Sequence, residues 1–169
     1  MEEKKALEIT QFLTFKLEEE VFAVEISKVR EVLEYGTITK VPQTPKMMKG
    51  VINLRGSVVP VIDMRVKFGM NEKEKTVNTV TIIIEIEIDN ELTMIGAMVD
   101  SVKEVMNLDS EHIEPAPNIG TRLNTDFIRG MGKHDGQFII ILNIERIFTM
   151  DELEQVQQAG QQTLTEMAS

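Results

Sequence analysis

The chain has 169 residues, a net charge of −10 and no cysteine. A chain of this length can bury a hydrophobic core without covalent staples, and the missing cysteines exclude disulfides, thiol catalysis and thiolate metal sites. The acidic balance argues against nucleic acid as a ligand, because binding to phosphates requires a basic surface. No apolar run approaches the roughly 18 residues that a transmembrane helix requires. We therefore expect a cytoplasmic protein without direct membrane insertion.

Short segments rich in β-branched and aromatic residues predict strands along most of the chain. They cover residues 12–17, 21–26, 58–62, 77–88 and 138–142. Turn signals separate them, notably Asp89-Asn90-Glu91 and Asp135-Gly136. Pro60 cannot donate a ladder hydrogen bond, so it predicts an edge strand or a bulge. The fold class predicted from these patterns is all-β.

The sequence also contains an internal repeat. Val29-Arg30-Glu31-Val32-Leu33 recurs 73 residues later as Val102-Lys103-Glu104-Val105-Met106, and the segment from Gly50 through Gly56 to Met64 recurs 80 residues later from Gly130 through Gly136 to Ile144. Two copies of one unit of about 70 residues, each a small barrel of five strands, are the interpretation that the shared glycine spacing favours. A cleft between two such barrels is a natural binding place.

The C-terminal segment differs from the repeats. Thr149-Met150-Asp151-Glu152 fits a capping box, and the apolar residues that follow have roughly helical spacing, which predicts a C-terminal α-helix over residues 150–169. We expect a two-barrel domain over residues 11–150. Its first barrel covers about 15–80 and its second about 85–148, with the strand near 9–14 as a further candidate for the second.

Charge is concentrated in one segment. Residues 26–68 carry eight basic and three acidic side chains, a local +5 that leaves −15 for the rest of the chain. This segment is either ordinary solvated surface or a docking face for an acidic or polar protein. Glu31 and Glu104 are likewise either solvent-facing carboxylates or polar contacts on recognition strands, and the eleven methionines are core filler or adaptable interface.

The sequence contains no recognisable pattern of catalytic or metal-binding residues. The two histidines, His112 and His134, cannot form a zinc site of usual spacing without cysteine. GMGKHDG (residues 130–136) lacks the phosphate-loop pattern and a following helix. The sequence therefore predicts no enzyme, cofactor or metal site. A small-ligand-binding or enzymatic barrel pair is the alternative from a different class.

Three stretches carry a resemblance to a known family. GVINLRGSVVPVIDMR (residues 50–65), MVDSVKEVMNL (98–108) and HIEPAP with FIRGMGKHDGQFIIILNIERIF (112–117 and 127–148) resemble the CheW-like domain family of chemotaxis coupling proteins. The resemblance runs from about Gln11 to Phe148. It implies two SH3-like five-stranded β-barrels and a non-enzymatic adaptor, which bridges the cytoplasmic tips of methyl-accepting chemoreceptors to the regulatory domain of the histidine kinase CheA in receptor arrays.

The same resemblance assigns candidate site residues. The receptor-binding groove would include Val29, Glu31, Gly50, Arg55, Val58 and Val105. The kinase-binding surface would include Ile26 and Val32, with a second, ring-closing contact at Glu114 and Ile119. At these last two positions the family often has a basic and an aromatic residue, so this chain departs from it there. Kinship could also indicate a CheV-like protein or the regulatory end of the kinase, but the chain's extent favours a stand-alone adaptor.

Overall fold

The computed structural model describes residues 9–34, 36, 38–88, 90–115 and 125–147. Most of them lie in ten strands: β1 (Ile9–Leu17), β2 (Glu20–Glu25), β3 (Val29–Glu34), β4 (Met48–Leu54), β5 (Ser57–Asp63), β6 (Val80–Ile88), β7 (Glu91–Val99), β8 (Ser101–Asp109), β9 (Ile128–His134) and β10 (Gln137–Leu142). Single helical turns form α1 (Met64–Lys67), α2 (Ile144–Ile147) and three 3-10 turns, Ile26–Lys28, Ser110–His112 and Thr125–Phe127. The mainly β prediction is confirmed. The predicted helix over 150–169 lies outside the described residues.

The strands form two five-stranded sheets. Sheet A has the order β8-β1-β2-β10-β9, and sheet B has the order β3-β6-β7-β5-β4. Neighbours are antiparallel except for one parallel pair in each sheet, β2 with β10 and β5 with β7. Each place in one sheet thus has a counterpart in the other, which agrees with two copies of one five-stranded unit.

The sheets exchange strands between the two repeats. Sheet A combines β1 and β2 with β8, β9 and β10, whereas sheet B combines β3, β4 and β5 with β6 and β7. The predicted barrels over 15–80 and 85–148 follow the repeats but not the sheets, because the chain crosses over twice. Only the 3-10 turn Ile26–Lys28 separates β2 from β3, and only Asp100 separates β7 from β8, yet the strands of each pair lie in different sheets and do not form a hairpin. The N-terminal strand does join the sheet of the second repeat, together with β2.

Isolated bridges show that both sheets curl. Thr39 lies a few residues beyond the edge strand β3 and bridges Val51 in the opposite edge strand β4, with N···O distances of 2.9 and 2.8 Å. Glu114 lies beyond β8 and bridges Met131 in β9 in the same way, at 2.9 and 2.7 Å. Because the bridged segments follow one edge and touch the other, each sheet bends until its two edges are linked.

The bridges explain the first glycine of each repeat. A Cβ atom on Gly50 would lie 2.2 Å from the carbonyl oxygen of Thr39, and one on Gly130 would lie 2.9 Å from that of Glu114. Gly50 also has a φ of 151°, where side chains are rarely found. The second glycine of each repeat lies in a two-residue hairpin turn. Both turns, Arg55-Gly56 and Asp135-Gly136, have two positive φ angles, as type I′ turns require.

Side chains from both sheets share one large cluster, here called the central cluster. It contains Leu13, Phe15, Leu17, Phe22, Val24, Met47, Met48, Val51, Ile62, Met64, Phe68, Ile82, Ile84, Ile86, Ile95, Ala97, Val99, Leu142, Ile144 and Ile147. A smaller cluster fills the other face of sheet A with Phe12, Val21, Ala23, Met106, Leu108, Ile139 and Ile141. β1 and β2 are therefore buried on both faces. Met47, Met48, Met98 and Met106 are buried, so these methionines are core filler.

An aromatic row crosses the central cluster. Phe15 stacks on Phe22 at 5.8 Å between ring centroids, Phe22 contacts Phe68 at 5.6 Å, and Phe68 contacts Phe127 at 6.0 Å. Phe15 and Phe22 belong to sheet A, while Phe68 caps α1 of sheet B. Such pairs add to the free energy gained from burying the rings. The row therefore fixes how the two sheets meet.

Two local predictions differ from the structure. The strand predicted over 77–88 begins at Val80, because Thr79 Oγ1 accepts from the Thr76 amide and forms a turn that leaves Val77 exposed. Pro60 does not mark an edge, since β5 lies between β4 and β7. The ladder to β7 begins only at Val61, so Pro60 precedes that ladder. Among the described residues, no helix is long and apolar enough to cross a membrane.

The glycine bridges generate a stability prediction. Gly50→Ala should lower the free energy of unfolding by about 2–4 kcal/mol, since the new Cβ must displace the Thr39 backbone. Urea denaturation measures this loss. Gly36→Ala is the control, because its Cβ would meet only the Glu34 carbonyl oxygen at 3.9 Å. Equal stability of the two variants would show that the bridge does not constrain residue 50.

The buried Asp63 generates a prediction about pH. Its Oδ1 accepts from the Arg65 amide, its Oδ2 is buried without a hydrogen-bond partner, and burial raises the pKa of the carboxyl. A carboxyl with a raised folded pKa stabilises the protein below its unfolded pKa of about 3.9, and this contribution is lost as pH rises through the folded value. The equivalent residue in the second repeat is Asn143, so Asp63→Asn should keep the fold.

The stability of Asp63→Asn relative to wild type should therefore increase as pH rises from about 4 to 7. Urea denaturation at several pH values measures the difference. Two parallel curves would contradict a raised pKa at Asp63.

Candidate functional site

An ion pair joins the edge strand β3 to the tip of the β4–β5 hairpin. Arg55 Nη1 donates to Glu31 Oε2 at 2.7 Å, and Arg55 Nη2 donates to Glu31 Oε1 at 3.0 Å. This two-pronged geometry suits a guanidinium and a carboxylate. The side chain of Arg55 is 72% exposed and that of Glu31 25% exposed. The sequence predicted both residues, and the structure brings them together.

Each partner favours the charged form of the other. The Arg55 guanidinium, chiefly through its hydrogen bonds, lowers the pKa of Glu31, and the Glu31 carboxylate raises the pKa of Arg55. The pair occupies two of the five N–H donors of the guanidinium. The rest of the exposed fork can donate to a carboxylate or a carbonyl of a protein partner.

Three other predicted residues lie beside the central cluster. Val29 begins β3, Val58 lies in β5 next to the hairpin turn, and Ile26 lies in the 3-10 turn that precedes β3; all three are partly buried against this cluster. Val29 lies two residues before Glu31, and Val58 lies three residues after Arg55, so an apolar side chain accompanies each member of the ion pair along the chain. Gly50 contributes through its backbone, because its φ and the approach of Thr39 require glycine.

Val32 and Val105 are exposed at equivalent places of the repeat. Val32 is 40% exposed on β3 and Val105 is 49% exposed on β8, the edge strand of sheet A. Val105 therefore lies on a different sheet from Glu31 and Arg55. Glu114 is exposed and bridges β9 through its backbone, whereas Ile119 lies outside the described residues.

Val102 is a candidate that the residue predictions missed. It is equivalent to Val29 in the repeat, and both are partly buried against the same central cluster from opposite sheets. The repeat offset of 73 was the signal that could have identified it. At the next equivalent position the copies differ, since Glu31 binds Arg55 but Glu104 has Asp135 at the corresponding hairpin tip.

Comparison with known proteins identifies the family. The model of the CheW-like domain matches residues 11–152. The chain belongs to the CheW family. It is 36% identical to the chemotaxis protein CheW of Klebsiella aerogenes over 143 residues, which cover 85% of this chain and 84% of that protein. It is 30% identical to the chemotaxis protein CheW of Bacillus subtilis over 141 residues, covering 81% of this chain and 85% of that protein.

A solved structure agrees with the family assignment. The scaffolding protein TtCheW from Thermoanaerobacter tengcongensis superimposes with a TM-score of 0.75 and 36% sequence identity, covering 86% of this chain and 91% of that one. CheW proteins are chemotaxis scaffolds without catalytic activity, and this chain is one of them. The candidate site is accordingly a surface for binding proteins rather than a reaction centre.

The geometry of the ion pair predicts a change in the titration of Glu31. Arg55→Gln removes the charge that lowers the pKa of Glu31, so this pKa should rise towards its ordinary value. NMR titration of the side-chain carboxyl carbon measures it. Glu72 is the control, because Lys49 rather than Arg55 lowers its pKa, which should stay as in the wild type. An unchanged pKa of Glu31 would mean that the pair does not persist in solution.

Proposed function

We propose that this member of the CheW family couples the cytoplasmic tips of chemoreceptors to the regulatory domain of the histidine kinase CheA. It would act in the cytoplasm, at the inner face of the membrane through receptor arrays. The observation that carries the proposal is the exposed Glu31–Arg55 pair beside partly buried valines, in a chain of the CheW family. A charged guanidinium with apolar side chains beside it suits the binding of a helical protein partner.

On the receptor side, the groove would use apolar anchors and one oriented guanidinium. Val29 precedes Glu31 in β3, Val58 follows the Arg55 turn in β5, and Val105 would add an exposed apolar contact from sheet A. Glu31 holds Arg55 in one direction, so binding requires less ordering of a long side chain than a free arginine would need. Burying these valines against a helix would supply the apolar part of the binding free energy.

On the kinase side, two surfaces are proposed. Ile26 and Val32 would form the first, next to the chain crossover into sheet B. Glu114 and Ile119 would form the second, which closes rings of alternating kinase and scaffold. A carboxylate at Glu114 favours a basic partner residue there. Signal transfer between the two sides requires that the kinase complex binds the two receptor states with different affinity.

Substitution of Arg55 tests the receptor side. Arg55→Ala and Arg55→Glu should abolish capture of a purified receptor-tip fragment, because the fork is lost or reversed. Circular dichroism and the thermal midpoint should remain close to wild type, since the pair is exposed. Binding to the CheA regulatory domain should persist.

Arg30→Ala is the matched control. Arg30 is an exposed arginine of β3 next to Glu31 and has a 3.6 Å contact with Glu85 instead of a two-pronged pair, so this variant should bind the receptor tip as wild type does. Unfolding of the Arg55 variants would make Arg55 a structural residue. Well-folded wild-type protein that binds neither partner would refute the adaptor role.

A further inference from the structure

Three lysines gather at one end of the β4 edge of sheet B. The bridge between Thr39 and Val51 sets Lys40 beside the start of β4, where Lys49 lies. Lys46 lies three residues before Lys49, inside the turn in which the Met48 amide donates to the Pro45 carbonyl. Lys40 and Lys46 are exposed, and Lys49 is partly buried. We call Lys40, Lys46 and Lys49 the basic rim.

Two carboxyls interact with these lysines: the exposed Glu72, and the buried Asp63, which is near enough to Lys49 to feel its charge. Lys49 Nζ is 2.9 Å from Glu72 Oε1, and Lys46 and Lys40 act with Lys49 to lower the pKa of that carboxyl. These two carboxyls leave the three ammonium groups in excess, and Lys40 and Lys46 are the exposed members of that excess. The basic rim therefore keeps a positive excess on a chain whose net charge is −10.

The basic rim and Arg55 lie at opposite ends of the same edge strand. Lys49 and Arg55 are six residues apart, which corresponds to about 20 Å at the rise of a β-strand. An α-helix covers that distance in about 13 residues. A helix laid along β4 from Arg55 would therefore reach the basic rim with its next three to four turns.

We propose that the basic rim binds an acidic stretch of the same receptor helix that engages Arg55. This inference rests on the proposed function and extends its site along β4. Lysines on flexible stems act as point charges rather than as oriented forks. The basic rim therefore speeds the encounter and sets the direction of the helix, while Arg55 and the valines give the tight contact.

The double variant Lys40→Glu, Lys46→Glu tests the proposal. It leaves Lys49 with Glu72 and should weaken binding of a receptor-tip fragment at least about tenfold at low salt, mainly through a slower association rate. The loss should shrink in about 0.5 M salt, where charges are screened within a few ångströms. Surface plasmon resonance over a salt series measures both rates, and circular dichroism confirms folding.

The matched control is Lys133→Glu, Arg146→Glu. It makes the same charge change at two exposed residues of β9 and α2, on sheet A. If both double variants lose affinity equally, the effect is one of net charge and the proposal is wrong. It is also wrong if the rim variant binds receptor as wild type does, if only CheA binding falls, or if only self-association changes.

Failure of the inference and failure of the proposed function give different results. Loss of binding by Arg55→Ala together with wild-type binding by the rim variant refutes the basic rim alone. Wild-type protein that captures no receptor tip at any salt concentration refutes the groove itself, and the basic rim with it.

Discussion

The exchange of strands between the two sheets is the constraint on which the rest of the structure depends. β1 and β2 pair with strands more than 75 residues away, and their second face lies in the central cluster. Neither sheet can form from one contiguous repeat. The chain connectivity therefore brings the two sheets into apolar contact, and the aromatic row fixes the geometry of that contact.

The two crossovers carry this constraint to the candidate site. Lys28 in the first crossover pairs with Glu145 of α2 at 2.6 Å, and Asp100 in the second pairs with Arg65 of α1. Arg65 and Glu145 are equivalent in the repeat, and the two pairs have opposite arrangements of charge. The edge strands β3 and β8 begin directly after these residues, so the strands that carry Glu31 and Val105 start from anchored points. Movement of one sheet against the other would change the distance between Glu31 and Val105.

Much of the fold was predictable because glycine spacing and β-branched runs report local backbone requirements. Asp135-Gly136 indicated a hairpin turn, and the glycine spacing shared by the repeats indicated two equivalent units. The strand exchange was not predictable from periodicity, because pairing partners at long sequence distance leave no local pattern. The prediction that Pro60 marks an edge strand was wrong for the same reason. Pro60 has no ladder partner in β7 because that ladder starts at Val61, although β5 is not an edge strand.

The candidate site was predictable only in part. The residues of the ion pair were found through a family motif, but their mutual contact depends on the curl of sheet B, which no sequence pattern states. Gly50 was assigned to binding, and its geometry gives it a structural role as well. Val102 was missed although the repeat pairs it with Val29.

Equivalent scaffolds with different tips explain how a symmetric fold can present different surfaces. The glycines, the bulged edge strands and the bridges recur in both sheets, and these features determine backbone position. Arg55 and Asp135 occupy the same left-handed turn position, with φ angles of 50° and 53°, so the turn does not select between them. Only Arg55 can bind the glutamate that both copies retain on the neighbouring edge strand. The repeated backbone therefore positions two equivalent hairpin tips. A single residue at each tip decides whether the glutamate on the neighbouring edge strand is neutralised within the chain.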